Sequence, residues 1–248
     1  MTPPSLSVIV PARNEKKYIE LVVKRLLAVS LPENTEVLFV EGHSTDGTLD
    51  EIKRVAESYK DKINVRYAVQ DNIGKADAVW KGFSLVQNDI VMILDADLTV
   101  EPEVLPEFYE VVKFSPDIFV NGSRLVYPME KGAMRPLNYL GNKFFALLLS
   151  FVAGQKMSDT LCGTKGIYKS RFEAIKTAGL IEKLEDPFCD FTLLLGASYL
   201  GLNIVEVPIE YKKRIYGLTK IRRFKDGWRL LKIAIKYLFL PKHASRKI

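Results

Sequence analysis

Ile90-Val-Met-Ile-Leu-Asp-Ala-Asp97 is the stretch on which the reading of this chain turns. An apolar run without polar alternation predicts a strand buried on both faces, the pattern of a parallel sheet. The run stops at two carboxylates, Asp95 and Asp97, separated by one alanine, Ala96. In open α/β sheets, ligands collect just outside the carboxyl ends of the strands. Two hard oxygen donors there suit Mg²⁺ or Mn²⁺, which bind through one or two carboxylates together with substrate phosphates. On spacing alone the pair reads more readily as a turn cap beside a solvated acid, because short acidic motifs are common.

The residues upstream give this strand its neighbours. Ser5 to Val10 is a β-branched run ending at Pro11, and Pro11 to Glu15 reads as a loop before a helix carrying Tyr18, Leu21, Val22, Arg25 and Leu26. Glu36 to Val40 is a second strand. His43-Ser-Thr-Asp-Gly47 then forms a turn, with Asp46 capping a helix that runs to about Tyr59. Asn64 to Val69 is a third strand and Lys75 to Leu85 a helix. This alternation predicts a mostly parallel α/β sheet with helices on both faces. Right-handed crossovers bring the loops 11–15, 41–48, 71–75 and 95–99 to one crevice. The chain has neither G-x-G-x-x-G after its first strand nor G-x-x-x-x-G-K-[ST], so a nicotinamide oxidoreductase and a P-loop phosphohydrolase both lack their main signature. Carboxylates beside the Gly74-Lys75 turn point to metal-assisted binding of a diphosphate.

With 248 residues, 48% hydrophobic and 27% charged, the chain is long enough for a sizeable core and has ordinary globular composition. The net charge of +6 is unevenly placed: from Tyr211 onward 13 Lys and Arg face one acid, Asp226, while residues 1–210 are net acidic. A basic end on an acidic body predicts an anionic partner for that end. There Phe224, Trp228, Leu231, Ile235 and Leu238 fall on one helical stripe, with Lys225, Arg229, Lys232 and Lys236 about a quarter-turn away. That is the pattern of a helix lying on an anionic bilayer, and equally of a helix packed on the sheet with a basic outer face. The segment 137–152 is apolar around much of its circumference and needs cover from protein or lipid. The N-terminus has no secretory pattern, and no run is long enough to span a bilayer. Cys162 and Cys189 make no disulfide framework. A peripheral protein on the cytoplasmic face of a membrane is the expectation.

Val-Ile-Val-Pro-Ala-Arg-Asn-Glu (8–15), Val-Glu-Gly-His-Ser-Thr-Asp-Gly-Thr (40–48), Gly-Lys-Ala-Asp-Ala (74–78) and Leu-Asp-Ala-Asp-Leu (94–98) together resemble the ordered motifs of family-2 glycosyltransferases of the GT-A fold. Asn121-Gly-Ser-Arg124, Ser158-Asp-Thr-Leu-Cys-Gly163 and Arg214-Ile-Tyr-Gly-Leu-Thr-Lys220 are similar to later motifs of polyprenyl-phosphate (dolichyl-phosphate) mannose and glucose synthases. The resemblance covers about residues 5–225. It implies a GT-A domain over 1–223, with a nucleotide-sugar part to about 125 and an acceptor part from about 126. A basic amphipathic helix and tail would follow over 224–248.

The resemblance also implies roles. Pro11, Ala12, Arg13 and Glu15 would line the base and ribose pocket with Glu41, although this chain has Glu41-Gly42 where the family more often has two adjacent Asp. Lys75 would meet the phosphates. Asp97, with Asp95 and Ala96 nearby, would hold the metal against the diphosphate leaving group. Inversion at the anomeric carbon is the family's usual outcome. Arg124, Arg214 and Lys220 would hold an acceptor phosphate, since guanidinium matches phosphate bidentately. A hydroxyl acceptor would instead need a base, for which Asp190, Asp186, Glu185 and Asp159 are the candidates. The expected reaction is hexose transfer, with mannose from GDP-mannose favoured, to a polyprenyl or dolichyl phosphate or a lipid-linked saccharide. The rival is a UDP- or dTDP-sugar enzyme acting on a glycan or small hydroxyl acceptor. A basic-tailed nucleic-acid binder is the alternative from another class, and no RNA- or DNA-reading motif accompanies the tail.

Overall fold

The computed structural model describes residues 3–216 and 223–240. Lys220, His243 and the end of the expected basic tail fall outside the described residues. Seven strands form one sheet in the order β3-β2-β1-β4-β6-β5-β7: β1 (Leu6–Ala12), β2 (Glu36–Glu41), β3 (Asn64–Val69), β4 (Ile90–Ile93), β5 (Ile118–Ser123), β6 (Lys165–Tyr168) and β7 (Asn203–Pro208). Every pairing is parallel except those of β6, which runs antiparallel to both β4 and β5.

Side-chain alternation sends one set of strand residues to each face. Leu6, Val8 and Val10 of β1, Phe39 of β2 and Met92 of β4 pack against α1 (Lys16–Ala28), α2 (Thr48–Tyr59) and α4 (Leu105–Val112). Ile9, Leu38, Val91 and Ile93 face the opposite layer, which includes α3 (Lys75–Leu85), α5 (Pro136–Ala153), α6 (Lys169–Thr177), α7 (Leu180–Leu184), α8 (Asp190–Tyr199) and α9 (Arg223–Leu238). The strand of the opening motif is buried at all four positions, as a central strand must be.

One boundary differs from the sequence expectation. The first strand does not stop before Pro11 but continues through it to Ala12, with Pro11 opposite Val40. Proline is tolerated there because β4 pairs only with Leu6 to Ile9, and the last bond on that side runs from the Leu94 N–H to the Ile9 carbonyl. Beyond it β1 has one neighbour, so the missing N–H of Pro11 interrupts no ladder. The divergence of β1 and β4 also opens the crevice, at the point where strand order turns from β1-β2 to β1-β4.

Helices α5 and α9 lie side by side, each with an inner and an outer apolar face. On α5, Phe145, Ala146, Leu149 and Val152 are buried, whereas Leu137, Leu140, Phe144, Leu147 and Phe151 face solvent, Phe151 at 80% exposure. On α9, Leu230, Ile233 and Ala234 are buried, whereas Phe224, Trp228, Ile235 and Leu238 are exposed. The C-terminal helix thus packs on the body through Leu230, Ile233 and Ala234, not through the expected stripe, of which Phe224, Trp228, Ile235 and Leu238 point outward.

Helix α3 packs so tightly on β1 that a Cβ at Gly82 would lie 2.6 Å from Ile9 Cγ2 and 2.8 Å from Cδ1. Gly82→Ala should therefore destabilise by about 1–2 kcal/mol despite its better helix propensity, because overpacking outweighs the gain. Chemical denaturation at neutral pH measures the sign.

Candidate active site

Strain marks the crevice before any chemistry is considered. The non-glycine residues with positive φ among those described are Asn14, His43, Leu98, Glu185 and Cys189. Three follow the carboxyl ends of β1, β2 and β4, and two flank the turn into α8. Such conformations concentrate at binding sites. The loops are stitched together by short polar side chains. Asn14 accepts from the Thr45 N–H and Ser44 accepts from the Asn14 N–H, both at 2.8 Å. Asp46 accepts from the N–H groups of Thr48 (3.0 Å) and Lys16 (3.2 Å), so it secures the starts of two helices.

The strand-end acids carry cations of the same chain. Lys75, first residue of α3, places Nζ 2.6 Å from Asp95 Oδ1. Burial alone would lower the Lys75 pKa, but Asp95, with Asp190 behind it, raises it. Burial would raise Asp95; Lys75 overrides that and lowers it. Any side chain at Gly163 would collide with this pair, so the glycine is what lets it sit against the 158–163 loop. Asp97 turns back to accept from the N–H (3.1 Å) and hydroxyl (2.8 Å) of Thr99, and its other oxygen lies 2.9 Å from Arg214 Nη1. The same guanidinium pairs with Glu15. Tyr18 anchors this strap, since its hydroxyl receives the Tyr216 N–H at 2.6 Å.

Arg124, just past β5, makes a two-pronged pair with Asp159: Nε to Oδ2 at 2.7 Å and Nη2 to Oδ1 at 2.9 Å. The Tyr211 ring lies 5.0 Å from its guanidinium carbon. Burial would raise the Asp159 carboxyl, but Arg124 outweighs it and brings the pKa down to about 2. A fully buried carboxylate held this way is a poor proton acceptor, and the geometry disfavours it as a base. Asp190, at the start of α8, lies 3.2 Å from the Nζ of the fully buried Lys165, which also donates to Asn121 Oδ1 at 3.0 Å. Asp186 is a helix-start cap instead: its oxygens accept from the N–H groups of Phe188, Phe191 and Thr192. Burial, reinforced by Asp190, pushes its pKa up to about 6. Glu185 projects to solvent and lies 3.7 Å from Lys236.

Asp97, Arg124, Asp190, Tyr211 and Arg214 form the polar end of a cleft of about 420 Å³. Its outer part is lined by Leu137 and Phe145 of α5, Leu230 of α9, Leu161 and Phe188. At the carboxyl ends of β1 and β2, Glu15 and Arg214 meet directly, whereas Glu41 accepts from the N–H groups of His43 (3.1 Å) and Ser44 (2.6 Å). Ala12 and Ala96 are buried in the core, Pro11 is half-buried and Arg13 exposed. Asp95 and Asp97 fit a divalent ion by donor type. Among the described residues no cluster of three or more acidic, His or Cys side chains joins them, so substrate oxygens and water would complete the shell. Lys165, Tyr211, Tyr18 and Asn142 escape the sequence motifs. Asn142 alone carries a readable signal: a polar side chain in phase with the buried stripe Phe145, Ala146, Leu149.

The Arg124–Asp159 pair generates a stability prediction. A carboxyl depressed from 3.8 to about 2 contributes stability that is complete above about pH 4 and is lost as pH falls toward 2, about 2.5 kcal/mol in all. Asp159→Asn should cost about 3–5 kcal/mol at pH 7, because it leaves Arg124 buried without a counter-charge, and should flatten the acid limb. Urea midpoints across pH 2–7 test both.

The family pattern for glycosyl transferase family 2 matches residues 7–175. The dolichyl-phosphate hexose transferase of Haloferax volcanii is 31% identical over 233 residues, covering 93% of this chain and 92% of that protein. The dolichol-phosphate mannosyltransferase of Saccharomyces cerevisiae is 39% identical, covering 93% and 96%. The glucosyl-3-phosphoglycerate synthase of Mycobacterium tuberculosis, crystallised with Mn²⁺, UDP and glucosyl-3-phosphoglycerate, superposes over 96% of this chain and 81% of its own with a TM-score of 0.66. At 17% identity that likeness speaks to the GT-A-type fold alone. Motif order, family pattern and full-length relatives agree: the chain belongs to glycosyl transferase family 2.

Proposed function

We propose that this glycosyltransferase moves a hexose, with mannose from GDP-mannose favoured, onto a polyprenyl or dolichyl phosphate at a membrane surface, with inversion and with a divalent metal. The observation that carries the reading is the charge state of the crevice. Glu15, Asp95, Asp97, Asp159 and Asp190 each face a cation within ion-pair distance. Lys75 holds Asp95, and Arg124 holds Asp159, below the usual carboxylate range, which suits a nucleophile that is already anionic. A phosphate oxygen qualifies, whereas a sugar hydroxyl does not. The names of the full-length relatives point to the same acceptor class.

Asp97 and Asp95 would hold the metal, which when bound supplies positive charge to the diphosphate leaving group. Lys75 would then pair with diphosphate oxygens; so would Arg214, whose contacts with Asp97 and Glu15 favour the donor side over the acceptor phosphate that the motifs suggested, and Glu15 would orient the nucleoside. Arg124, preset by Asp159 and Tyr211, would receive the acceptor phosphate at the polar end of the cleft. The Mn²⁺ and Mg²⁺ complexes of the mycobacterial enzyme support the metal. The apolar outer part of the cleft and the adjoining stripes of α5 and α9 would face lipid. Lys143, Lys225, Arg229, Lys232 and Lys236 on the same two helices suit anionic headgroups. No helix among the described residues is long and apolar enough to cross a membrane, so docking would be peripheral at this surface.

Transfer assays with GDP-mannose, UDP-glucose and dTDP-glucose, polyprenyl phosphate in anionic vesicles and Mn²⁺ or Mg²⁺ test the reading. Wild type should form a lipid-linked hexose with one donor class, and Asp97→Ala should lower the rate by about a hundredfold or more. Glycosylation of hydroxyl acceptors alone would sink it. Separately, Leu147→Glu with Trp228→Glu, both at exposed sites, should leave the melting temperature nearly unchanged and abolish pelleting with phosphatidylserine vesicles. Undiminished pelleting would place the docking surface elsewhere.

A further inference from the structure

Helix α5 turns an apolar stripe outward, yet its inner face carries a polar residue that is 1% exposed, Asn142. Burying an amide in an apolar layer is costly unless its hydrogen bonds are met. Here they are met at the acceptor end of the cleft. Asn142 Nδ2 donates to Asp159 Oδ1 at 2.7 Å, and its Oδ1 accepts from the Thr160 N–H at 3.3 Å. Asp159 Oδ1 also receives Arg124 Nη2 at 2.9 Å and the Leu161 N–H at 3.0 Å, while Oδ2 receives the Arg124 N–H at 3.0 Å and Nε at 2.7 Å. The carboxylate is thus fixed from three sides: by the arginine, by its own loop and by α5.

We propose that Asn142 is a positioning residue for the acceptor phosphate: from the outward-apolar helix its amide holds Asp159, and through Asp159 the guanidinium of Arg124. The inference rests on the acceptor reading above. The amide matters for direction as well as strength. Among the side chains bonded to Asp159, only Asn142 comes from α5, so without it the Asp159–Arg124 pair keeps only the tethers of its own strand and loop. A guanidinium aimed by the residues behind it loses less entropy when it grips an anion. One helix would then seat the lipid on its outer face and aim the phosphate-binding group with its inner one. Leucine at position 142 would serve packing equally well, but it would leave the Asp159 oxygen one bond short.

Asn142→Asp gives a test that a purely structural role would not pass. It sets a second carboxyl 2.7 Å from Asp159 Oδ1, and two such groups share one proton at low pH. Protonated, the new acid donates to Asp159 as the amide does; ionised, it repels Asp159 and competes for Arg124. Asp159 meets the position directly and Arg124 through it, with Glu206 of β7 holding the N–H groups of Ser158 and Asp159 from behind, while Asp190 of α8 and Asp226 of α9 line the same cleft. The KM for polyprenyl phosphate, as a ratio to wild type at each pH, should be near one at pH 5.5 and rise to about tenfold at pH 8, or roughly 1.4 kcal/mol. Asn142→Ala should show a raised, pH-independent ratio, which keeps the test alive if the aspartate variant does not fold. In both variants the thermal shift from GDP or UDP with Mn²⁺ should match wild type. A flat ratio near one in the variants, or an equal loss of nucleotide binding, overturns the positioning role while leaving the acceptor reading intact. A wild type that never glycosylates polyprenyl phosphate overturns both.

Discussion

The Arg124–Asp159 pair ties together parts of the chain that no local interaction would join. Arg124 follows a central strand, Asp159 lies in a loop 35 residues later, and Asn142 reaches that loop from α5. Glu206 of β7 adds a fourth tether through the N–H groups of Ser158 and Asp159. A buried pair adds little net stability compared with an apolar replacement, because both ions lose their water. What it adds is direction: a guanidinium fixed on one edge by a carboxylate and on its face by Tyr211 has few orientations left. The cleft's polar end inherits its shape from that constraint.

Charge balance gives the same site its chemistry. Lys75 pairs with Asp95 and Lys165 with Asp190, while Arg214 bridges Asp97 and Glu15, so each of these carboxylates faces a cation. Each exchange of partners on substrate binding swaps one ion pair for another, so no carboxylate need be left bare. In the proposed function a metal on Asp97 would free Arg214, and a diphosphate would take up the guanidinium. Such a site gains little by extracting a proton and much by aligning anions. That is the economy expected of a reaction whose nucleophile and leaving group are both phosphates.

The sheet was legible because its signals are local. The apolar run 90–94, the β-branched runs before it and the helical spacing between them place the first four strands to within a residue or two of where they lie. Pro11 misleads only because its tolerance depends on where β4 stops, which is a tertiary fact. Asp95, Asp97, Lys75 and Arg124 could be singled out because strand ends and motif order predict them. Lys165 and Tyr211 could not. A lysine inside a strand normally argues for exposure, and the approach of Asn121 and Asp190 from distant segments, beside the Cys162 carbonyl, makes burial at position 165 tolerable. Likewise nothing local shows that Glu41 bonds its own turn or that Asp186 caps α8, because both depend on where a backbone N–H happens to point.

Helices α5 and α9 show how one pattern can satisfy two demands. An amphipathic reading assumes one apolar face, yet α5 and α9 each have two. The inner faces are needed to close the layer over α8 and the sheet. The outer faces have no such use: Phe144, Leu147, Phe151, Trp228 and Phe224 on adjacent helices carry no burial that would justify them within the body. Large exposed apolar patches mark interaction surfaces, and this one borders the cleft that Leu137 and Leu230 line. A phosphate bound at Arg124 with a long apolar tail would leave the cleft through its apolar end and emerge beside this patch. The same geometry would leave a water-soluble acceptor with an apolar exit it does not use. The position of the patch, more than its size, is the argument for a lipid acceptor.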